Sequence, residues 1–147
     1  MQAHLGTQVL EHGDPAIGLV ARRFEEAHPG GGHGRVVEIA VGTGLNLPLY
    51  GDDVDYVIGV YISTAMLDQA RLKVSEGVKT EVDLRLGDVQ ALDVPDECVD
   101  TLVSTYAFCT IPDPYRVANE AFRVLVPGGR FVLAEHGPSK NVVARTL

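Results

Sequence analysis

Between residues 36 and 134 the chain alternates short apolar runs with stretches of helical spacing, and nothing else in it restricts the possible folds as strongly. Residues 36–41, 56–60, 82–86, 99–104 and 130–134 read as strands. Most are apolar on both faces, as strands become when helices cover both sides of a parallel sheet. Between the second and third, Ser63 is placed to cap a helix in which Met66, Ala70 and Val74 share a face, ending near Gly77. Between the fourth and fifth, Val117, Ala121, Val124 and Leu125 repeat the pattern until Pro127, Gly128 and Gly129 stop it. Residues 90–95 leave room only for a turn or a short helix. Strand and helix in alternation, joined by right-handed crossovers, predict an α/β fold: a doubly wound, mainly parallel, Rossmann-like sheet of about five strands.

Ahead of this core, Asp14 and Pro15 form a cap and first-turn pair, followed by Ile17, Val20, Ala21 and Phe24 at helical spacing. A helix ending near Ala27 is expected there, and residues 29–34 form a glycine-rich linker. The expected organisation is one domain over 1–147: a helical segment (1–28), the linker, a core (35–137) and a tail (138–147). A length of 147 residues with 46% hydrophobic content supplies a core that closes without disulfide or metal staples. The net charge of −8 lacks the cationic footprint that phosphate contacts need, which argues against nucleic acid. No apolar run is long enough to span a bilayer, and the first residues carry no signal-peptide pattern; a cytoplasmic protein is expected. Cys98 and Cys109 have no metal-ligand spacing and read as reduced thiols, and His4, His12, His28 and His33 share no such spacing either, so no metal is expected.

The chemistry concentrates where the first strand ends, at Glu38-Ile39-Ala40-Val41-Gly42-Thr43-Gly44. Gly42 and Gly44 let the backbone turn sharply and approach a ligand, and a helix starting after the turn would present free N–H groups. A doubly wound sheet binds ligands at that place, outside the carboxyl ends of its strands. Glu38, inside an apolar strand, must reach solvent or find backbone or ligand donors, because an unpaired buried carboxylate is costly. Asp93, Asp96, Glu97 and Asp100 read as a solvated acidic loop. His136 follows the last strand and is a candidate base, with a polar end-cap as the ordinary reading. Tyr106, Phe108 and Cys109 either shape a pocket or extend the core. Asp88 either meets a ligand or caps the turn after Gly87.

Five ordered segments carry a family resemblance: residues 36–48, 57–67, 87–92, 99–105 and 125–130. Together they resemble the class I S-adenosylmethionine-dependent methyltransferases over about residues 36–137. Cys109-Thr110-Ile111-Pro112-Asp113 and Ala134-Glu135-His136-Gly137 are most similar to the small-molecule branch that includes ubiquinone-pathway and thiol methyltransferases. The resemblance implies S-adenosylmethionine as cofactor and methyl transfer to a small-molecule acceptor. It implies a cofactor surface of Glu38, Ala40, Gly42, Gly44, Asn46, Tyr61, Ile62, Asp88, Val89 and Thr105. In it, residues 38–44 line the methionine part, Tyr61 faces the ribose, Ile62 packs on the adenine, and Asp88 with Val89 read the adenine edge. Tyr106 and His136 are the candidates for a catalytic role.

Two positions depart from the family pattern. Tyr61 stands where an acidic residue usually accepts from both ribose hydroxyls, and a phenol is the weaker acceptor. Ala40 replaces a usual glycine, and its methyl crowds the turn if that position needs a positive φ. These departures leave open a non-methylating use of the same fold, as a cyclase, an isomerase or a scaffold with an impaired cofactor site. A dinucleotide dehydrogenase fits less well, since the third glycine of that fingerprint is missing. The resembled fold normally continues past its fifth strand with two more, whereas ten residues, 138–147, follow the core here. The fifth strand is therefore expected to form an open edge, and open edges pair with other chains. A homodimer through that edge is the expected assembly.

Overall fold

The computed structural model describes residues 8–9 and 34–134. The helix expected over 14–27, most of the glycine-rich linker, His136 and the tail lie outside these residues.

Among the described residues, six strands form one sheet: β1 (Gln8–Val9), β2 (Gly34–Ile39), β3 (Val54–Tyr61), β4 (Glu81–Leu86), β5 (Val99–Thr105) and β6 (Leu125–Ala134). Their order is β1-β6-β5-β2-β3-β4, and every neighbouring pair is parallel. The five expected strands are present as β2 to β6. One expectation is corrected: the last strand is not a wholly open edge, because Gln8 and Val9 pair with Val132 and Leu133. A two-residue strand is too short to show as a period-two pattern, so sequence reading passes over it.

The central strands are buried on both faces, as their continuous apolar runs require. On one side Val37, Ile39, Ile58, Val60, Leu102 and Phe131 cluster with Val117, Ala121 and Val124 of helix α2 (Pro114–Val124). On the other, Val36, Val57 and Val103 cluster with Leu47, Tyr50 and with Leu67 and Ala70 of helix α1 (Thr64–Ser75). Ser63 caps α1 as expected, its hydroxyl accepting from Met66 N at 3.4 Å. Asp113 does the same for α2, accepting from the amides of Tyr115 and Arg116. β4 differs from the buried strands. Glu81, Asp83 and Arg85 alternate with apolar residues along this sheet edge, and Arg85 Nε donates to Asp83 at 2.7 Å. Charge along an edge strand deters pairing with other chains.

The connections hold the remaining corrections. The helix expected after Gly44 is a single 3-10 turn, Leu47–Leu49. Gly51 and two aspartates follow, all poor helix formers, and the chain re-enters the sheet at Val54. Pro127, Gly128 and Gly129 do not separate α2 from the last strand but lie within β6, where the register against β5 slips between Val99 and Thr101. Gly128 there has φ +81°, and a Cβ on Gly129 would lie 2.8 Å from the carbonyl of Val126. The acidic loop is not merely solvated. Asp100 accepts from the backbone N (2.8 Å) and Nε (3.3 Å) of Arg35, and Asp96 accepts from Arg123 Nη1 at 2.7 Å. Arg123 also donates to the carbonyls of Val94 (2.7 Å) and Leu92 (2.9 Å), while Glu120 accepts from Leu92 N at 2.6 Å. The helix-free crossover from β4 to β5 is thus tied to α2 through its own backbone groups.

Candidate functional site

Because all strands run parallel, their carboxyl ends and the turns after them share one edge of the sheet, where a doubly wound fold places its ligands. The turn after β2 is built from left-handed residues: Ala40 (φ +55°), Gly42 (φ +56°) and Gly44 (φ +78°). Val41 N donates to Val60 O at 3.1 Å, which ties the turn to β3. Ala40 therefore does occupy a conformation that favours glycine, and its Cβ carries that strain. A Cβ on Gly42 would meet no heavy atom of the described residues closer than 3.9 Å, so open space lies beside this backbone among them. Gly44 serves packing instead, since a Cβ there would lie 2.7 Å from Leu47 Cδ1 and 3.2 Å from Ala70 Cβ.

That open space belongs to a cavity of about 270 Å³ lined by Glu38, Ala40, Val41, Gly42, Thr43, Leu45, Asn46, Met66, Thr105 and Tyr106. Glu38 is only 1% exposed. Its carboxyl accepts from Asn46 Nδ2 at 2.7 Å and from Tyr50 Oη at 2.8 Å. Asn46 Nδ2 also donates to Thr105 Oγ1 at 3.2 Å, which joins β2, the 3-10 turn and β5 at the cavity wall. Burial pushes the Glu38 carboxyl up to about 7, and the hydrogen bonds from Tyr50 and Asn46 only partly oppose that rise. Burial and the neighbouring Glu38 likewise push the Tyr50 phenol well above its usual value.

Of the sequence-derived residues, the fold brings Glu38, Ala40, Gly42, Asn46, Thr105 and Tyr106 to one cavity. Tyr106, with φ +52°, follows β5 and is anchored by its amide to Ala134 O at 2.7 Å. The others stand along the same sheet edge, outside the cavity wall. Tyr61 is the half-exposed last residue of β3, Ile62 after it is 73% exposed, and Val89 packs partly against the core. Asp88 caps its own turn, accepting from Gln90 N at 2.8 Å and Gln90 Nε2 at 3.1 Å. These bonds hold its carboxyl below the ordinary range. Phe108 extends the core, its ring centroid 6.0 Å from that of Phe131, whereas Cys109 is exposed. Tyr50 was not among the sequence candidates. The signal for it was indirect: a glutamate in a buried strand needs donors, and Asn46 and Tyr50 are donor-bearing residues soon after the turn. Among the described residues no cluster of three or more His, Cys, Asp or Glu side chains could hold a metal ion.

Over 116 residues the chain is 44% identical to the phosphatidylethanolamine N-methyltransferase of Cereibacter sphaeroides, covering 78% of this chain and 57% of that protein. It is 30% identical over 118 residues to the demethylmenaquinone methyltransferase of Renibacterium salmoninarum, covering 77% of this chain and 48% of that one. The chain thus spans about half the length of these curated relatives. The crystal structure of an S-adenosylmethionine-dependent methyltransferase from Mesorhizobium loti superposes with a TM-score of 0.66 at 26% identity, covering 80% of this chain and 53% of that one. Residues 37–133, the stretch holding the left-handed turn, the buried glutamate and five of the six strands, match the family model described as a methyltransferase domain, and the chain belongs to that family.

Proposed function

We propose that this domain binds S-adenosylmethionine at the carboxyl edge of its sheet and serves methyl transfer to a small-molecule acceptor. The observation that carries the reading is the cavity beside Gly42, floored by a buried carboxyl and with no Lys or Arg among the described residues of its wall. A cavity of about 270 Å³ lies just below the usual range for whole ligands, roughly 300–1,000 Å³, so it suits one part of the cofactor. The remainder would run along the sheet edge past Tyr61 and Ile62 to Asp88 and Val89. In this arrangement residues 38–44, Asn46 and Thr105 hold the methionine part. Glu38 supplies negative potential toward a positively charged group, and the left-handed turn keeps side chains out of its path. When bound, the cofactor supplies an electrophilic methyl group on a sulfonium.

The protein's contribution is then alignment, because a direct displacement needs a near-attack geometry more than a strong base. Tyr106 stands at the cavity rim, where it would orient the acceptor. The acceptor most in keeping with the relative at 44% identity is an amine of a lipid headgroup, and that identification belongs to this proposal. No helix among the described residues is long and apolar enough to cross a membrane. The free thiols of Cys98 and Cys109 suit a reducing compartment, and a cytoplasmic location is part of the same reading. A homodimer through the β6 edge is also proposed, since β1 covers two positions of that strand.

Titration calorimetry with S-adenosylmethionine tests the cofactor assignment. Saturable binding is expected in the native chain, with loss of binding in a folded Gly42→Val variant, whose side chain fills the open space. A folded native chain that gives no heat at millimolar ligand would overturn the proposal.

A further inference from the structure

The turn after β4 and the loop after β5 are joined by one side chain. Gln90 Nε2 donates to both oxygens of the Asp88 carboxylate, at 3.1 and 3.2 Å, and Gln90 N donates to the first of them at 2.8 Å. On its other side Gln90 Oε1 accepts from Asp113 N at 3.1 Å, across 23 residues of chain. A carboxylate only accepts and a backbone N–H only donates, so the bridge needs a donor and an acceptor on one side chain. A glutamine amide supplies both without charge. Asp113 ends the 106–113 loop and caps α2 by accepting from Tyr115 N and Arg116 N. At the other end of the loop, Tyr106 N donates to Ala134 O, and in the middle Thr110 N and Oγ1 both donate to Ala107 O, at 3.0 and 2.8 Å. Gln90 thus ties down the far end of the loop that carries Tyr106 to the cavity wall.

We propose that Gln90 is a positioning residue that couples occupancy of the Asp88 edge to the order of the 106–113 loop. The proposal rests on the cofactor reading above, in which Asp88 meets one end of the cofactor. In the free protein the Nε2 hydrogen bond is divided between two oxygens, both at the long end of the range for N–H···O. A ligand N–H that takes one oxygen of Asp88 leaves the other to Gln90, since a carboxylate has acceptor sites for both. The amide then has one partner on each side, and its Oε1 stays on Asp113 N. The coupling acts equally in reverse: a loop ordered by an acceptor beside Tyr106 holds Gln90, and through it Asp88, in the geometry that receives the cofactor.

Residue-resolved amide exchange by NMR, with and without saturating S-adenosylhomocysteine, reads this coupling in the absence of turnover. In the native chain the ligand should slow exchange at Asp113 N and Thr110 N by about fivefold or more, the lower end of ordinary coupling between sites. Gln90→Lys keeps a donor for Asp88 but has no acceptor for Asp113 N; it should still bind the ligand, with the slowing at both amides lost. Gln90→Glu keeps the acceptor for Asp113 N but sets a second carboxylate against Asp88. Its exchange at Asp113 without ligand should match the native chain, while binding weakens and the ligand-induced slowing falls. This second variant keeps the test decisive if Gln90→Lys does not fold. A purely structural tether behaves differently: Gln90→Lys would exchange faster by one factor in the free and bound states, and a ligand-induced ratio equal to the native one would overturn the coupling. Binding to the native chain with unchanged exchange at both amides would also overturn it and leave the cofactor reading intact. A folded native chain that binds no S-adenosylhomocysteine would overturn both.

Discussion

At the scale of single residues, the site is defined by a few positions that break local preference. Ala40 and Tyr106 sit at positive φ without being glycine, and Glu38 is a carboxyl in the middle of the sheet. Each departure costs stability, and residues of this kind concentrate where a protein binds or reacts. The Glu38 cost has a definite sign. Its folded-state titration near 7 lies above that of an unfolded carboxyl, so the folded chain binds the extra proton. Stability from this group is therefore highest below about pH 4.5 and declines as pH rises through 7, by on the order of 3 kcal/mol in all. Urea denaturation of the native chain and Glu38→Gln at pH 5 and pH 8 checks this: the native chain should lose more stability than the variant between the two. Tyr61 carries a second prediction. If its half-exposed ring faces the ribose, Tyr61→Asp should tighten S-adenosylmethionine binding by about 1.5–3 kcal/mol, the usual range for a charged hydrogen bond. Unchanged affinity in calorimetry would place the ribose elsewhere.

Elements were legible in the sequence to the extent that their patterns are local. Both described helices and four of the five apolar strands stand where periodicity puts them, with Ser63 as the expected cap of α1, whereas the Asp113 cap of α2 and the early start of β6 at Leu125 emerge only in the fold. What could not be read is how the connections are held. The crossover from β4 to β5 has no helix, and its order depends on Arg123 and Glu120, which are far along the chain and sit on α2. Arg123→Ala removes hydrogen bonds to two carbonyls of the crossover at once. Faster amide exchange at Leu92 and its neighbours is expected, with a global loss of roughly 1.5–3 kcal/mol, because charged hydrogen bonds to backbone are among the stronger ones. Exchange that stays at the native rate in this variant would mean that Glu120 and core packing hold the crossover without it.

For the whole molecule, the sheet order decides both the site and the edges. Placing β2 in the centre, between β3 and β5, is what brings the turn after β2 beside Thr105 and Tyr106. The two edges are protected differently. β4 carries alternating charge, whereas β6 is paired by β1 only at Val132 and Leu133. The proposed homodimer follows from the rest of the β6 edge, whose backbone groups have no strand partner among the described residues on that side. Light scattering coupled to size exclusion should give a dimer mass at tens of micromolar. A stable monomer at that concentration would show that the edge is covered from within the chain.

The sequence by itself determined the α/β class, the order of strand and helix in the core, the Ser63 cap of α1 and the place of the glycine turn. Each of these is written in neighbouring residues, through side-chain period, caps and backbone freedom. Only the tertiary structure decided that Ala40 must be left-handed, that Asp88 is engaged in its own turn, and that Glu38 is enclosed with Tyr50. It also paired Gln8 and Val9 with β6. These are long-range facts, set when strands distant in the chain lie side by side, and burial and hydrogen-bond partners at that distance leave no periodic mark in the sequence.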